Sequence, residues 1–470
     1  MSLNPRVAIV IVNWNKKDYV LNLLGHLRNI DYDNYEIVVV DNASTDGSPD
    51  IIREKYPNTR LIINPENLGG TGGFNTGIRY ALAKGGFKYV WLLDNDAVIE
   101  KTTLVELVKV MESDSEIGIA GSRIVDTEEK DMTVALGGSF KWNTIGVTPF
   151  YRNKRGIDER NPKEVDYVAI CSALVRVESL DKVGLMDERL FFFWDDMDWG
   201  LTFKDNGFKV MAVPQSVVYH PSFTEKRRGR NTDYYGIRNS LLVYTKHTGM
   251  LKRFLIFYNY FRYLSKGVIF GLLNRKKREN IKRRFITLDA LRDFCSNRWG
   301  RYDLNEEEYE TEIPERVVAK DESVKGVLVV AGDIKESILR LNEKVEEVFP
   351  RATVTLLVRS DREDVFKPYF GNMISMDSKR LNSIFYNVRV FTRILFSGFD
   401  VVVSPTLSPF TFAVRKSYFY DLSIGMLRDS DRDFSNVHKL ILSTLLGELA
   451  SLLVTPLIYL KSFRYNKAGL

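Results

Sequence analysis

Four short apolar runs, each stopping at an Asn or Asp, constrain this chain more than any other feature. Val7 to Val12 runs into Asn13, Glu36 to Val40 into Asp41, Leu61 to Ile63 into Asn64, and Phe87 to Leu93 into Asp94. Between the first two, Asp18 to Ile30 carries apolar residues at helical spacing. Runs this short, with helical stretches between them, predict buried parallel strands of an α/β sheet. In such sheets ligands bind beyond the carboxyl ends of the strands. Asn13, Asp41, Asn64, Asp94 and Asp96 should then converge on one edge. Gly69 to Gly73 reads as a Gly-rich turn ahead of a helix.

The 470 residues allow about three domains at about 150 residues each. With 44 % hydrophobic and 27 % charged residues, neither a disordered chain nor a polytopic membrane protein fits. Two cysteines, Cys171 and Cys295, exclude a disulfide-framed secreted domain. Cys171 lies in the apolar run Val168 to Val175 and reads as a core residue. No signal peptide precedes the first strand, so a reducing, cytoplasmic setting is expected.

The net charge of +6 hides an asymmetry. Glu225 to Gly300 holds 19 Lys/Arg against 5 Asp/Glu, a net +14, which leaves −8 for the rest. This basic segment also contains two aromatic, apolar stretches, Leu251 to Tyr263 and Gly267 to Leu273, followed by Arg275 to Arg278 and Lys282 to Arg284. The expected organisation is a first α/β domain over 1–224, basic aromatic helices over 225–302, an acidic linker over 303–324, a smaller Rossmann-like α/β domain over 325–435 and an apolar helix over 436–470. The second α/β unit has no Gly-x-Gly-x-x-Gly fingerprint, so no nucleotide is assigned to it. Leu440 to Leu460 is long enough for a membrane span but contains Glu448 and Pro456; it reads equally as a buried or interfacial helix.

Several clusters could carry chemistry. Asp94-Asn95-Asp96 leaves a strand with two carboxylates at i and i+2, which can address one hard divalent cation; a plain Asx turn is the bland reading. Asp41 to Ser48 reads as a turn with a helix cap, or as a base- or ribose-binding loop. The glycines between Asn67 and Gly77 would let backbone N–H groups approach a phosphate, or mark a flexible loop. Trp194-Asp195-Asp196-Met197-Asp198-Trp199 puts three carboxylates in four positions, with Asp195 and Asp198 on one helical face and Asp196 about 100° away. Such carboxylates repel one another unless a cation or a helix N-terminus offsets them. His220 closes a strand-like run and reads as a structural histidine or as a third ligand beside Asp94 and Asp96.

Taken together, the Val12-Asn13-Trp14-Asn15 strand end, Val-Asp-Asn-Ala-Ser-Thr-Asp-Gly-Ser from Val40, Asn67-Leu68-Gly69-Gly70, Leu93-Asp94-Asn95-Asp96 and the Trp-Asp-Asp-Met-Asp box with His220 resemble the family 2 glycosyltransferases of GT-A fold. The likeness covers roughly Arg6 to Thr248 and is closest to rhamnosyl- and galactofuranosyl-transferases. It implies an inverting transfer from a nucleotide-diphospho-sugar, of dTDP-rhamnose or UDP-hexose/galactofuranose type, to a lipid-linked or polysaccharide glycan. It implies nucleotide-sugar contacts at Asn13, Asp41, Asn67, Gly70, Asp94, Asn95 and Trp194. A Mn²⁺ or Mg²⁺ ion would sit on Asp94, Asp96 and His220. Asp196 would be the catalytic base, with Asp195 contacting the acceptor or holding the base; the family often has Glu at the latter position.

The basic aromatic segment would then face an anionic membrane at the inner face of the plasma membrane, or simply cover the core. No nucleic-acid motif accompanies its charge, and a homo-oligomer is compatible with the reading. Two other readings compete. A sugar-1-phosphate nucleotidyltransferase would want a glycine-rich basic loop where Asn13 to Lys17, without glycine, stands. A non-catalytic GT-A-like scaffold would have no need of Asp96, Asp196 and His220.

Overall fold

The computed structural model describes residues 4–151, 154–220, 230–273, 278–302, 318, 320–331, 335–377, 389–390, 392–394, 396–404, 416–421, 426–429 and 437–463. The acidic linker Asp303 to Glu315 and the cations Arg275 to Lys277 lie outside the described residues.

The first unit opens with β1 (Val7–Asn13), α1 (Lys17–Leu27), β2 (Tyr35–Asp41), α2 (Ser48–Lys55), β3 (Arg60–Ile63), α3 (Gly69–Lys84) and β4 (Tyr89–Asp94). The four strands are parallel, in the order β3-β2-β1-β4. Register aligns their carboxyl ends: Asn13 pairs with Asp41, Asp41 with Ile63, and Val12 with Asp94. Val7 to Ile11 and Tyr89 to Leu93 are wholly buried, which is why these runs do not alternate.

Beyond β4 come β5 (Val98–Ile99), α4 (Thr103–Ser113), β6 (Ile117–Asp126), the short strands β7 (Met132–Ala135), β8 (Gly138–Phe140), β9 (Val147–Pro149), β10 (Lys154–Arg155) and β11 (Lys163–Glu164), then β12 (Ser172–Arg176), α5 (Leu180–Val183), α6 (Asp195–Asp205) and β13 (Lys209–His220). Here the sheet becomes mixed. β12 inserts antiparallel between β4 and β6, so an all-parallel sheet is not what the chain builds. β13 lies parallel to β6 and bulges between Val213 and Val217. Its end pairs antiparallel with β5, Val98 opposite Tyr219. Helices α1 and α4 cover one face of the sheet. Helices α3, α5 and α6 cover the other.

The Gly-rich stretch is a correction to the sequence reading. Gly69 to Gly77 is not a turn ahead of a helix; it is the first half of α3. The glycines there serve close packing. A Cβ on Gly73 would meet Val12 Cγ1 at 2.6 Å, and one on Gly77 would meet Val10 Cγ1 at 2.2 Å. Composition alone cannot separate a glycine loop from a glycine helix face, and here strand proximity decides.

The basic segment forms α7 (Arg230–His247), α8 (Met250–Leu273) and α9 (Arg278–Cys295). These pack on the first unit: Tyr244, Phe257, Phe261 and Phe294 share one apolar cluster with Phe140, Leu190, Trp194 and Leu201. A second sheet follows, built from β14 (Gly326–Val330), α10 (Lys335–Val348), β15 (Thr353–Arg359), α11 (Glu363–Phe366), β16 (Met373–Met376), β17 (Val401–Ser404), β18 (Lys416–Asp421) and β19 (Met426–Asp429). Its order is β16-β15-β14-β17-β18-β19, parallel except for the last pair. The last helix, α12 (Val437–Ser462), returns to pack along α8, and Ile458 joins the cluster around Trp194.

Gly77→Val should wedge α3 away from β1 and lower stability by about 2 kcal/mol, seen as a lower denaturant midpoint.

Candidate active site

Strand ends and one helix start bring the expected residues together. β4 delivers Asp94, and the turn after it delivers Asn95 and Asp96; the β5–β13 pairing brings His220 beside them. His220 Nε2 lies 3.1 Å from Asp96 Oδ1 and 3.6 Å from Asp94 Oδ2. The side chains of His220, Asp96 and Asp94 are 16 %, 30 % and 40 % exposed, so they face an accessible cleft. Burial alone would lower the His220 pKa, but the two carboxylates outweigh it and push the pKa up to about 10. His220 in return holds Asp96 below its ordinary value, against the effect of burial.

Cys171 is a residue the sequence reading placed in the core. It precedes β12 and lies across from Asp94, whose N–H donates to the Cys171 carbonyl at 3.2 Å. Its Sγ and the ligand atoms of Asp94 and His220 all lie within 4.8 Å of one another. Burial first, then the carboxylates of Asp94 and Asp96, hold the thiol well above its usual range.

The Trp-Asp-Asp-Met-Asp box starts α6, and its three carboxylates have three fates. Asp198 is buried and bound by Lys246 Nζ at 2.6 Å and His247 Nε2 at 3.0 Å, so it ties α6 to α7. Asp195 accepts from Thr71 Oγ1 at 3.0 Å, which ties it to the start of α3. Asp196 accepts only from its neighbour, Met197 N–H, among the hydrogen bonds described. Burial raises the Asp196 pKa, and the charges of Asp195 and Asp94 add to it, to about 8. Asp195 is raised too, again by burial, with Thr71 opposing. A carboxylate poised this far above its ordinary range is fitted to take a proton near neutral pH.

The chain bends sharply to present this helix start. Phe191, Phe193 and Trp194 have φ of 61°, 69° and 75°, a region that side chains rarely adopt. Each such residue costs on the order of 1–3 kcal/mol. The restraint comes from Asn239 on α7, wholly buried, whose Nδ2 donates to the carbonyls of Leu190, Phe192 and Phe193 at 2.8, 2.9 and 2.7 Å. No local pattern in the sequence marks Asn239. Gly69, at φ 73°, fits under this bend; a Cβ there would lie 2.1 Å from the Phe191 carbonyl oxygen.

The expected nucleotide contacts divide. Gly70, at the start of α3, meets nothing within 4 Å of its Cβ position and stays open. Asn67 accepts from Gly69 N–H at 2.8 Å and shapes the entry to α3. Asn13 and Asp41 are wholly buried beneath the cleft. Asn13 donates to Asp41 Oδ2 at 3.0 Å and to Ser48 Oγ at 2.9 Å, and accepts from Asn95 Nδ2 at 2.9 Å. Asp41 Oδ1 accepts from Ser44 N–H at 2.7 Å. In this structure these residues lock the strand ends and their loops together. Trp194 is a correction: it is only 6 % exposed and packs against Phe140 and Tyr244, so it belongs to the core and not to the ligand cleft. The motif located the residue, but the positive φ turns its ring inward.

The chain is similar to several known proteins. A family model for glycosyl transferase family 2 matches residues 8–184. The dTDP-rhamnosyl transferase RfbF of Shigella flexneri is 26 % identical over 325 residues, which is 64 % of this chain and 99 % of that protein. An N-acetylglucosaminyl-diphospho-decaprenol L-rhamnosyltransferase of Mycobacterium tuberculosis is 25 % identical over 237 residues, 46 % of this chain and 75 % of that one. The galactofuranosyltransferase GlfT2 of the same organism is 20 % identical over 206 residues, 40 % of this chain but only 32 % of its own length.

Asn239→Ala should release the bend at Phe191 to Trp194, costing about 2 kcal/mol of stability and lowering turnover more than donor binding, as steady-state kinetics would show. Residues 8–184 carry a glycosyl transferase family 2 domain, the sheet they begin is of GT-A fold, and the chain is a glycosyltransferase.

Proposed function

We propose that the chain is an inverting glycosyltransferase that moves a sugar from a nucleotide-diphospho-sugar to a hydroxyl of a lipid-linked or polysaccharide glycan, with Asp196 as the base. The observation that carries this reading is the position and environment of Asp196. It heads α6 at the cleft, and its pKa is raised by burial and by the neighbouring Asp195. Deprotonated, its carboxylate takes the proton from the acceptor hydroxyl. That oxygen attacks the anomeric carbon from the face opposite the nucleotide, and one displacement inverts the configuration. Asp195, fixed by Thr71, contacts the acceptor or keeps Asp196 oriented.

Asp94, Asp96 and His220 would hold a divalent cation, at a point where the ligand atoms of Asp94 and His220 also converge with Cys171 Sγ within 4.8 Å. Four carboxylates (Asp94, Asp96, Asp195 and Asp196) gather here, with His220 the nearby cation bound to the first two. A Mn²⁺ or Mg²⁺ ion bound there would neutralise the charge that builds on the departing diphosphate. Mixed oxygen and nitrogen donors favour Mn²⁺ over Mg²⁺. Gly70 and the start of α3 offer backbone N–H groups to the donor phosphates. Asn13, Asp41, Asn67 and Asn95 set the floor and rim on which the nucleotide rests. The names of the relatives support a rhamnose or galactofuranose donor, and that of the mycobacterial rhamnosyltransferase supports a lipid-diphosphate acceptor; we place that acceptor at the cytoplasmic side of the membrane.

The test is nucleoside diphosphate release from a panel of nucleotide sugars with Mn²⁺, with and without glycan acceptors. Asp196→Asn should lower turnover by about a thousandfold and leave donor affinity nearly unchanged. Release of pyrophosphate instead would sink the reading in favour of a nucleotidyltransferase.

Two pH effects follow from the charges. Asp196 must be unprotonated to act, so activity falls as pH drops through its raised pKa; Asp195→Asn removes a like charge and should move that acid limb to lower pH in a kcat/KM profile. His220 carries a proton that a cation must displace. Mn²⁺ affinity should therefore rise with pH, and calorimetry in buffers of different ionisation enthalpy should show proton release that His220→Gln abolishes.

A further inference from the structure

Helix α12 is built inside out for a helix in water. The side it packs on α8 carries Ser443, Gly447, Ser451 and Thr455, small residues four apart and all buried. The side it turns away carries Leu445, Leu449, Leu452, Leu453, Leu457 and Leu460, each 56 to 72 % exposed. A helix in a soluble protein buries its leucines and exposes its serines. The reverse order, small residues toward a partner helix and leucines outward, suits surroundings of hydrocarbon. Close approach is real here: a Cβ on Gly447 would lie 2.7 Å from Lys266 Cγ. The helix's single carboxylate, Glu448, is turned to α8, where Arg262 Nε and Lys266 Nζ lie 3.4 and 3.2 Å away.

By length and composition, Leu442–Ser462 could cross a membrane. Its packing argues for a different placement. α12 runs antiparallel along α8, from Arg253 against Ser462 at one end to Lys266 against Gly447 at the other. The opposite side of α8 buries Ile256, Phe257 and Phe261 in the core that also holds Trp194. A bilayer enclosing all of α12 would have to admit that core as well. Only the leucine side is open to lipid.

We propose that α12 lies in the plane of a phospholipid bilayer, its leucine stripe sunk among the acyl chains. The sequence supplies charge suited to an anionic surface, with seven Lys/Arg against one Asp/Glu over 275–284. Apolar helix faces flanked by Lys/Arg bind anionic interfaces in this way. Because α8 and α12 share their core with Trp194, the α6 start is carried to the membrane with them. The inference deepens the membrane-side placement proposed above, but its test reads lipid binding and not transfer, so each can fail alone.

The experiment is flotation of the full chain with vesicles of phosphatidylcholine alone or mixed with phosphatidylglycerol. The chain should float with the mixed vesicles, less so at high salt, and weakly with phosphatidylcholine alone. Leu449→Glu with Leu453→Glu should cut partitioning by at least about tenfold, with circular dichroism and solution mass unchanged. The indole introduced by Leu453→Trp should be quenched by lipids brominated near the headgroup more than by lipids brominated near the chain ends. Failure of the unaltered chain to float, deep quenching that marks a spanning helix, or a lipid-independent dimer dissociated by the double Glu variant would each overturn the proposal.

Discussion

Repulsion among four carboxylates is the constraint around which the first unit is arranged. Asp94, Asp96, Asp195 and Asp196 come from two distant parts of the chain and meet at one cleft. Nothing in their own chemistry keeps them there without a cation. The restraint comes from the scaffold: His220 is bound to Asp94 and Asp96, Thr71 holds Asp195, and the amide of Asn239 grips the three carbonyls behind the α6 start. The site is therefore preorganised by groups that are not themselves acidic, and its electrostatic strain is stored in raised pKa values at Asp195 and Asp196.

The strand ends were legible because an apolar run that halts at Asn or Asp is a local pattern. Parallel pairing then aligns those ends without further information, and Asn13 opposite Asp41 is the direct result. For His220 the sequence left two readings open, a structural histidine or a ligand beside Asp94, since the β5–β13 pairing joins residues more than a hundred positions apart. Trp194 and the glycines of α3 show the limit of motif reading. A motif gives position along the chain, but backbone dihedrals decide which way Trp194 turns, and the nearness of Val10 and Val12 decides why glycine stands at 73 and 77.

Asn239, Cys171 and the Lys246–Asp198 pair left no signal of that kind. Each acts through contacts across the fold, and an asparagine in a helix or a cysteine before a strand looks ordinary. The polarity of α12 was hidden for a different reason. Its leucines and small residues are both visible in the sequence, yet only packing on α8 shows which side is covered.

The family model ends at residue 184, whereas Asp195, Asp196 and His220 come after it and Leu190 shares its core with Phe257 and Ile458. The recognisable module and the cooperative unit are thus different stretches of chain. A chimera joined at the edge of the module would receive Asp94 and Asp96 without Asp195, Asp196 and His220, and would leave an apolar face uncovered. Exchange of specificity between such enzymes is then confined to loops within the shared framework, or to transfer of the sheet and its helical cover as a whole.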